Sequence, residues 1–440
     1  MHRFRAVIAA LTLGVPFAAS AAEITRIASS FEDDDPFDLF LDVGFERTQT
    51  RAKIVREQLR GGDATDVSEV NELWYKGTDA RLNLAVAFGL WKDLEFSFKL
   101  PIVFQQNETW NFVSGTNQDN STITNSCFDA DGSPYKDGAD GCAGRLFQVP
   151  QESYRGGLGN VHFGLAYAFF NQEKDDTKPT WIIGIDYEAP TAKQRDPSLD
   201  NTDPEDPQKD GRGNVGDRVH KYQLYTTFSR KMGVAEPYFK ASHTIPVRGP
   251  GAYSNCDQSV TPPPNFGDGR PNLGAPYNCY KEPWTRQETG IKAPSQTALT
   301  FGMELVPFEN AARSQKFALD LRLMGNYVGR GRYYNELSSA LRKLLTSDDY
   351  FQVGGQVGVI ARAAEAFTIR ASGNFLYNTD HLLTSEAIGQ DLNGDGQVDT
   401  APGSDELNPT FDWRYDLVSR RFRAIQSTTF RFDLGATFSF

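Results

Sequence analysis

Five side chains with oxygen ligands alternate along one short stretch near the end of the chain. They are Asp391, Asn393, Asp395, Gln397 and Asp399, with Gly394 and Gly396 between them. Carboxylate and amide oxygens are the ligands that Ca²⁺ prefers, and glycine permits the sharp turn that lets such oxygens converge. The spacing therefore predicts a calcium site, and the alternative is an acidic loop exposed to water.

The same stretch resembles the calcium loop of EF-hand and dockerin proteins. That resemblance implies a bidentate glutamate at the twelfth position, where this chain has Pro402. Asp405 and Glu406 are the nearest carboxylates that could take its place. Calcium is the one cofactor that the sequence suggests.

A second group of charged side chains alternates with apolar ones. In the last segment, 428–440, Phe430 and every second residue up to Phe440 are apolar, and the residues between them are polar or glycine. Successive side chains of a strand point to opposite faces, so this pattern predicts a strand with one apolar face. The same alternation recurs at 37–46, 81–90, 94–105, 160–170, 181–188, 221–229, 238–247, 297–305, 317–326, 351–362 and 367–377.

The N-terminus indicates export from the cytoplasm. Arg3 and Arg5 precede an apolar run that ends in Ala19-Ser20-Ala21, the pattern of a secretory signal peptide and its cleavage site. We expect residues 1–22 to be the signal peptide, with the mature chain starting near Ala22 or Glu23. Residues 23–35 would then form a periplasmic segment before the strands.

The composition favours a transmembrane barrel. No later stretch reaches the roughly 18 apolar residues of a spanning helix, yet aromatic residues make up 12% of the chain. Only half of each strand in a membrane barrel is apolar, so such a chain is polar overall. The net charge of −12 argues against nucleic acid as a partner.

The lengths of the connections support that fold. Long polar segments follow the odd strands, and short turns follow the even ones, as in bacterial outer-membrane barrels. The long segments are 50–70, 107–155, 190–219, 248–293, 331–349 and 380–412. We therefore predict an all-β, twelve-stranded antiparallel barrel over residues 36–440, with short periplasmic turns and long extracellular loops.

Two stretches carry a resemblance to known proteins. The terminal strand with Phe438 and Phe440 resembles the assembly signal of Gram-negative outer-membrane proteins, which the barrel-insertion machinery reads. The stretch from Gly157 to Asn160, followed by the strand at Trp181, is similar to the "GLGD…L" and "W…G" strands of outer-membrane transporters associated with meta-cleavage phenol degradation. Asn160 stands where that family usually has Asp. The resemblance implies a transporter in the outer membrane of a Gram-negative bacterium.

The polar face of each strand should line the lumen, because a charge facing lipid costs roughly 2–4 kcal/mol at mid-depth. The candidate lumen and selectivity residues are Asp42, Arg81, Lys99, Asp186, Glu188, Asp320, Arg322, Arg370, Arg431 and Asp433. Acids dominate the early strands and arginines the late ones, which suggests a transverse field across a pore, with Asp42 near Arg431 or Arg423. The alternative is a ladder of ion pairs that fills a narrow barrel and conducts nothing.

Two loop features remain. The four cysteines form two local pairs, Cys127 with Cys142 and Cys256 with Cys279, and disulfides are expected in an oxidising compartment. A zinc site is the alternative, although no CxxC spacing supports it. Residues 335–345 predict an amphipathic helix that folds into the mouth as a constriction or lies against the rim.

These patterns predict a passive channel or transporter for small solutes that contacts outer-membrane lipid and lipopolysaccharide. A non-conducting surface barrel acting through its loops is the alternative. An outer-membrane lipid-modifying enzyme is a third interpretation, with Ser242 and His243 as its nearest catalytic pair. A lone histidine on a strand is usually structural, so we do not expect an enzyme.

Replacing Phe438 and Phe440 by Ser should block insertion into the membrane without blocking export, because the terminal aromatic strand is the expected recognition signal. The measurement is the amount of surface-exposed protein, with Phe37→Ser, another strand-end Phe, as control. Normal surface levels of the double variant would show that the signal lies elsewhere.

Overall fold

The computed structural model shows twelve strands joined into one closed antiparallel sheet. It describes residues 22–31, 37–59, 67–123, 127–128, 134–135, 146–198, 213–257, 276–364, 366–401 and 403–440. We number the barrel strands β1 Leu39–Leu59, β2 Val67–Trp91, β3 Leu94–Phe112, β4 Val161–Phe170, β5 Thr180–Ala189, β6 Val219–Ser229, β7 Ala235–Arg248, β8 Gln296–Asn310, β9 Gln315–Val328, β10 Tyr350–Ala364, β11 Phe367–Asn378 and β12 Phe422–Ser439.

Each barrel strand pairs with the next, and β12 pairs with β1 to close the sheet. Leu39 and Phe440 exchange two backbone hydrogen bonds of 2.9 Å at the junction. All twelve predicted strands are present, and the prediction of a closed barrel is confirmed. The short connections and both sheet termini lie at one end, called here the short-turn end, and the long connections lie at the other, the long-loop end.

The apolar face of the sheet points outward. Its large side chains are exposed, with Leu323 at 71% and Val357 at 62% of their full accessible surface. Aromatic rings contact one another along this outer face, for example Phe239 and Phe301, whose centroids are 4.9 Å apart. A continuous exposed apolar surface of this kind fits lipid and is unfavourable in water.

The first hairpin is longer than the sequence pattern predicts, so the assignment of residues 50–70 to a loop was wrong. β1 has 21 residues and β2 has 25. At about 3.4 Å per residue, β2 spans roughly 80 Å, well beyond the hydrocarbon core. Ile54 and Leu73 in the extension are fully buried, because they pack against the long loops and not against lipid.

A bulge changes which residues of β3 face inward. Ala80 of β2 pairs with Gln105 whereas Arg81 pairs with Val103, so Phe104 is the extra residue. Beyond it, Glu108 and Trp110 are buried. The prediction of a loop over 107–155 was therefore wrong at both ends, since β3 continues to 112 and a further strand, Gln151–Leu158, also pairs with β3.

The long connections return into the barrel and form an apolar core at the long-loop end. Trp110, Leu337, Leu383 and Phe422 are fully buried members of this loop core. The smaller elements of the connections are the strands Cys127–Phe128, Pro134–Tyr135, Gly331–Tyr333, Leu345–Ser347 and His381–Leu382, the 3₁₀ turns Asn255–Asp257, Pro276–Asn278 and Ala311–Arg313, and the helix Arg286–Thr289.

The predicted helix at 335–345 is absent: residues 336–342 form consecutive turns, and Leu345 begins a short strand. The side chains of Asn335 and Ser338 accept hydrogen bonds from the amides of Leu337 and Asn335, as at a helix N-terminus. The backbone does not continue regularly from there, because the Leu341 amide bonds to the Leu337 carbonyl and the Lys343 amide to the Ser338 carbonyl, five residues back. The segment does fold inward, and the Trp110 indole donates a 2.7 Å hydrogen bond to the Glu336 carbonyl.

The N-terminal segment closes part of the short-turn end. Residues 22–31, which include the 3₁₀ turn Glu23–Thr25, lie against inward-facing side chains of the barrel. The fit is close at Gly89, where a Cβ atom would lie 2.3 Å from the Ser29 carbonyl oxygen. Sequence reasoning assigned this segment to the periplasm and did not predict that it enters the barrel.

The predicted Cys256–Cys279 disulfide is present within one connection. Of the predicted Cys127–Cys142 pair, Cys142 lies outside the described residues. Among the helices that the structure describes, none is long and apolar enough to cross a membrane.

Leu337→Ala should loosen the loop core, because removing a fully buried leucine side chain costs about 2–5 kcal/mol. We expect faster proteolysis of the long connections in detergent-solubilised protein. Leu392→Ala is the control, since Leu392 is 45% exposed in another long connection. Equal cleavage rates in the two variants would contradict a packed loop core.

Candidate functional site

Among the described residues, the polar face of the barrel lines two cavities, a lower one toward the short-turn end and an upper one toward the long-loop end. The lower cavity has a volume of about 280 Å³ and is lined by Glu46, Asp320, Arg322, Arg370, Arg431 and Asp433, among others. The three arginines reach it from β9, β11 and β12, which lie on one side of the barrel. The arginines that the sequence analysis placed on the late strands therefore line the same cavity.

Each arginine of the lower cavity is paired with a nearby acid. Arg322 Nε lies 2.7 Å from Asp320 Oδ2, and Arg431 Nε lies 2.8 Å from Asp433 Oδ1. Arg81 and Asp79 on β2 form a third pair at 2.7 Å. Both members of each pair stand two residues apart on one strand, hence on the same face. Positive and negative charges are thus interleaved at short range, and a transverse field between opposite walls stays a prediction.

Asp42 pairs with Arg370 and Arg26, and not with Arg431 or Arg423 as predicted. Its Oδ1 lies 2.5 Å from Arg370 Nη2. Arg370 stands opposite Gly435 in β12, and the missing side chain there lets the guanidinium reach across to β1. Arg370 also contacts Glu23 of the N-terminal segment, which ties that segment to the barrel wall.

Arg423 and Arg431 have other partners because the register places them further along β12. Arg431 stands opposite Thr48 and pairs with Glu46 at 3.3 Å. Arg423 pairs with Glu69 at 2.9 Å in the extension beyond the lower cavity. The sequence order could not give this register.

The remaining candidate charges lie higher in the lumen. Glu188 accepts hydrogen bonds from Lys221 at 3.0 Å and from Asn160 at 2.7 Å. Asp186 on β5 interacts electrostatically with Lys99 on β3 and Lys240 on β7, each two strands away in the sheet. Asn160 thus supplies an amide donor to the Glu188 carboxylate.

The upper cavity has a volume of about 520 Å³. Its lining includes Tyr75, Lys221, Tyr333, Tyr350 and His381. Tyr350 and His381 stack with ring centroids 4.0 Å apart. This cavity lies beneath the loop core and presents both charged groups and aromatic faces.

A buried cluster around Glu108 holds the loops to the wall, and sequence reasoning missed it. Glu108 Oε2 accepts hydrogen bonds from Arg195 at 3.0 Å and from Ser339 at 2.5 Å, and Arg155 lies 3.5 Å away. The partners are separated from Glu108 by 87, 231 and 47 residues respectively. No local pattern in the sequence joins residues so far apart.

A second cluster joins two long connections at Glu386. Arg332 binds its carboxylate with two nitrogens, and Asn408 donates a 2.9 Å hydrogen bond. Burial alone would raise the pKa of Glu386, but the Arg332 charge and the hydrogen bonds from Arg332, Thr346 and Asn408 lower that pKa to about 2. The ion pair therefore persists over the whole neutral and mildly acidic range.

The predicted calcium loop is closed by its own hydrogen bonds. Asp391 accepts from the amides of Gly394 at 2.6 Å and Gly396 at 2.8 Å. The carboxylate of Glu406 accepts from the amides of Leu392 at 3.0 Å and Asp399 at 2.6 Å. In the described part of the chain, no group of three or more His, Cys, Asp or Glu residues is arranged to hold a metal ion. Calcium binding stays a prediction.

Ser242 and His243 do not form a catalytic pair. His243 is exposed on the outer face, where its Nδ1 lies 2.8 Å from Thr297 Oγ1, and the neighbouring Ser242 points to the other face. The geometry gives no base for the serine.

The closed antiparallel sheet, its apolar outer surface and its charged lumen define a transmembrane β-barrel of the outer-membrane type. No family model matches the sequence, and no curated protein matches it.

Solved structures with a similar fold include an outer membrane channel from Pseudomonas putida F1, with 10% identity over 91% of this chain and 95% of that chain, TM-score 0.41. A Pseudomonas aeruginosa FadL homologue has 8% identity over 91% and 90%, TM-score 0.34. The CymD monoaromatic hydrocarbon channel has 9% identity over 95% and 90%, TM-score 0.31. No property of this chain follows from similarities at these identities and TM-scores.

Glu108→Ala should release the loops from the wall, because it leaves two buried arginines without their carboxylate. Breaking a buried ion pair costs about 3–5 kcal/mol. The measurement is the thermal unfolding midpoint in detergent. Glu152→Ala on the neighbouring strand is the control, since Glu152 is exposed. A midpoint unchanged from that control would contradict a structural role for Glu108.

Proposed function

We propose that the protein is a passive channel or transporter for small polar solutes in the outer membrane of a Gram-negative bacterium. The observation that carries the proposal is the pair of lumenal cavities, of about 280 and 520 Å³, inside a closed wall. A barrel that served only as a scaffold could fill this volume with side chains, as eight-stranded barrels do.

The lining of the lower cavity supports polar solutes as cargo. Its arginines keep part of their surface exposed, and the Arg431 side chain is 48% exposed although it is ion-paired. A guanidinium has five donors, so one that binds a neighbouring carboxylate can still donate to a passing solute. Interleaved charges of both signs favour modest selectivity over absolute exclusion of either sign.

Both ends of the lumen are narrowed, which restricts how solutes could pass through such a channel. The N-terminal segment covers part of the short-turn end, and the loop core covers the long-loop end. We infer that conductance is low and that passage requires local movement of these covers. With the short turns in the periplasm, the outer band would contact lipid and the long connections lipopolysaccharide.

The loop core also favours a second candidate function. A buried apolar cluster and the Glu108 and Glu386 clusters join the described parts of the long connections into one packed surface. A packed surface of this kind suits a non-conducting barrel that acts through adhesion or surface structure. Conductance distinguishes the two functions.

In a planar bilayer we expect the refolded protein to conduct, and Arg322→Ala with Arg431→Ala should shift its selectivity toward cations. Two charges about 10 Å from a permeating ion contribute about 0.4 kcal/mol each in water, which together changes the permeability of each ion about fourfold. The change favours cations and disfavours anions, so the permeability ratio should change by up to about sixteenfold. The measurement is the reversal potential in a salt gradient.

The matched control is Lys178→Ala with Lys281→Ala, which removes two exposed positive charges outside the lumen. Its reversal potential should equal that of the wild type. No conductance and no solute uptake into liposomes by the wild type would refute the channel and leave the surface function.

A further inference from the structure

Two buried carboxylates meet the backbone at the point where the mature chain is expected to begin. Glu236 on β7 and Glu304 on β8 stand directly opposite each other in the sheet and have no exposed surface. The Ala22 nitrogen lies 2.6 Å from Glu236 Oε1, and the Glu23 nitrogen lies 2.6 Å from Glu304 Oε1. Ala22 is itself fully buried.

The hydrogen bonding of this pocket is incomplete. Glu236 Oε2 and Glu304 Oε2 have no hydrogen-bond partner among the residues that the structure describes. Ser229 donates to Glu236 Oε1 at 2.8 Å, so that oxygen already accepts two bonds. A buried carboxylate oxygen without a donor is costly, which points to a donor that a peptide N–H does not supply.

The charge of the pocket is also unbalanced. Among the described residues, Lys316 is the cation within 4 Å of the pair, with its Nζ 3.7 Å from Glu304 Oε2, beyond hydrogen-bonding distance. Lys231 also acts on Glu236, but it is paired with Glu309. The two carboxylates stand side by side, and like charges so placed disfavour each other. The site therefore calls for one more positive charge beside the Ala22 nitrogen.

Signal-peptide cleavage after Ala21 would create that charge in place. Hydrolysis breaks the Ala21–Ala22 amide bond, the water oxygen goes to the Ala21 carboxyl group, and Ala22 keeps its nitrogen as a primary amine. At neutral pH that amine takes up a proton, since an α-amino group has a pKa of about 8. The resulting ammonium has three N–H donors and a full positive charge. The peptide nitrogen had one donor and no charge.

We propose that the Ala22 α-ammonium formed by cleavage docks between Glu236 and Glu304 and fixes the N-terminal segment inside the short-turn end of the barrel. The pocket is thus a binding site for the protein's own processed N-terminus. Thr25 completes the fit, because its hydroxyl lies 2.7 Å from Ser229 Oγ and its amide donates to the Ala22 carbonyl at 2.8 Å. The site does not depend on whether the barrel conducts.

The first test is the intact mass of the protein purified from outer membranes. The expected mass is that of a chain starting at Ala22 with a free amine. A chain that starts at Glu23 or at any other residue would overturn the proposal, because its first nitrogen would not meet Glu236.

The second test is acylation of the α-amine at pH 7 by an amine-reactive ester, quantified on the N-terminal peptide. In the folded wild type we expect at least tenfold slower labelling than in the protein unfolded in denaturant. Glu236→Gln with Glu304→Gln should remove most of that protection. Glu309→Gln is the control, since Glu309 lies on β8 with Glu304 and pairs with Lys231. Equal labelling rates in the folded and unfolded wild type would refute docking.

A third variant covers the case in which the double substitution does not fold. The chain is refolded once starting at Ala22 and once with a Gly-Ser extension before Ala22, which moves the ammonium out of the pocket. The extended chain should unfold at a lower temperature in detergent. Identical unfolding midpoints would show that the charge of the N-terminus does not matter to the barrel.

Discussion

Hydrogen bonding between β1 and β12 is the constraint on which the rest of the molecule depends. A backbone polar group in lipid has no water to bond, so a sheet can cross the membrane only if it has no open edge. The register runs from Phe40 opposite Ser439 to Arg56 opposite Phe422, and it leaves neither strand as an edge over that length. Closure also separates the two faces of every strand into a lipid side and a lumenal side. That separation decides whether each functional side chain faces the lipid or the lumen.

The lumen also shows how charged side chains are stabilised in an enclosed space. Acids and arginines two residues apart on one strand neutralise each other locally, as Asp320 with Arg322 and Arg431 with Asp433 do. Pairing at this range needs no contribution from the opposite wall, so the charged lining can surround open volume. A field between distant walls would instead leave each charge poorly compensated in a region of low dielectric. The result is a lumen that offers many donors and acceptors whose charges are compensated locally.

The two ends of the lumen are covered by segments that different interactions hold in place. At the long-loop end, returning chain segments bury apolar side chains such as Trp110 and Leu337, and buried ion pairs at Glu108 and Glu386 fix their positions. At the short-turn end, a few residues are held mainly by carboxylates that bind backbone amides. An apolar core packs over a wide area and resists movement, whereas a short segment held by hydrogen bonds and charge can be released by changing a few groups.

The sequence by itself determined the number of strands, the alternation of short and long connections, and which face of each strand is apolar. These properties are local, because period-two alternation and turn composition can be read from neighbouring residues. The Cys256–Cys279 disulfide could be predicted for the same reason, since both cysteines lie in one connection. Only the tertiary structure decided that Asp42 meets Arg370, that Phe104 bulges, that β1 and β2 extend, and that residues 335–345 turn inward without forming a helix. Those outcomes depend on the register and on contacts between residues up to several hundred positions apart, and a single extra residue in one strand reverses which side chains face the lumen.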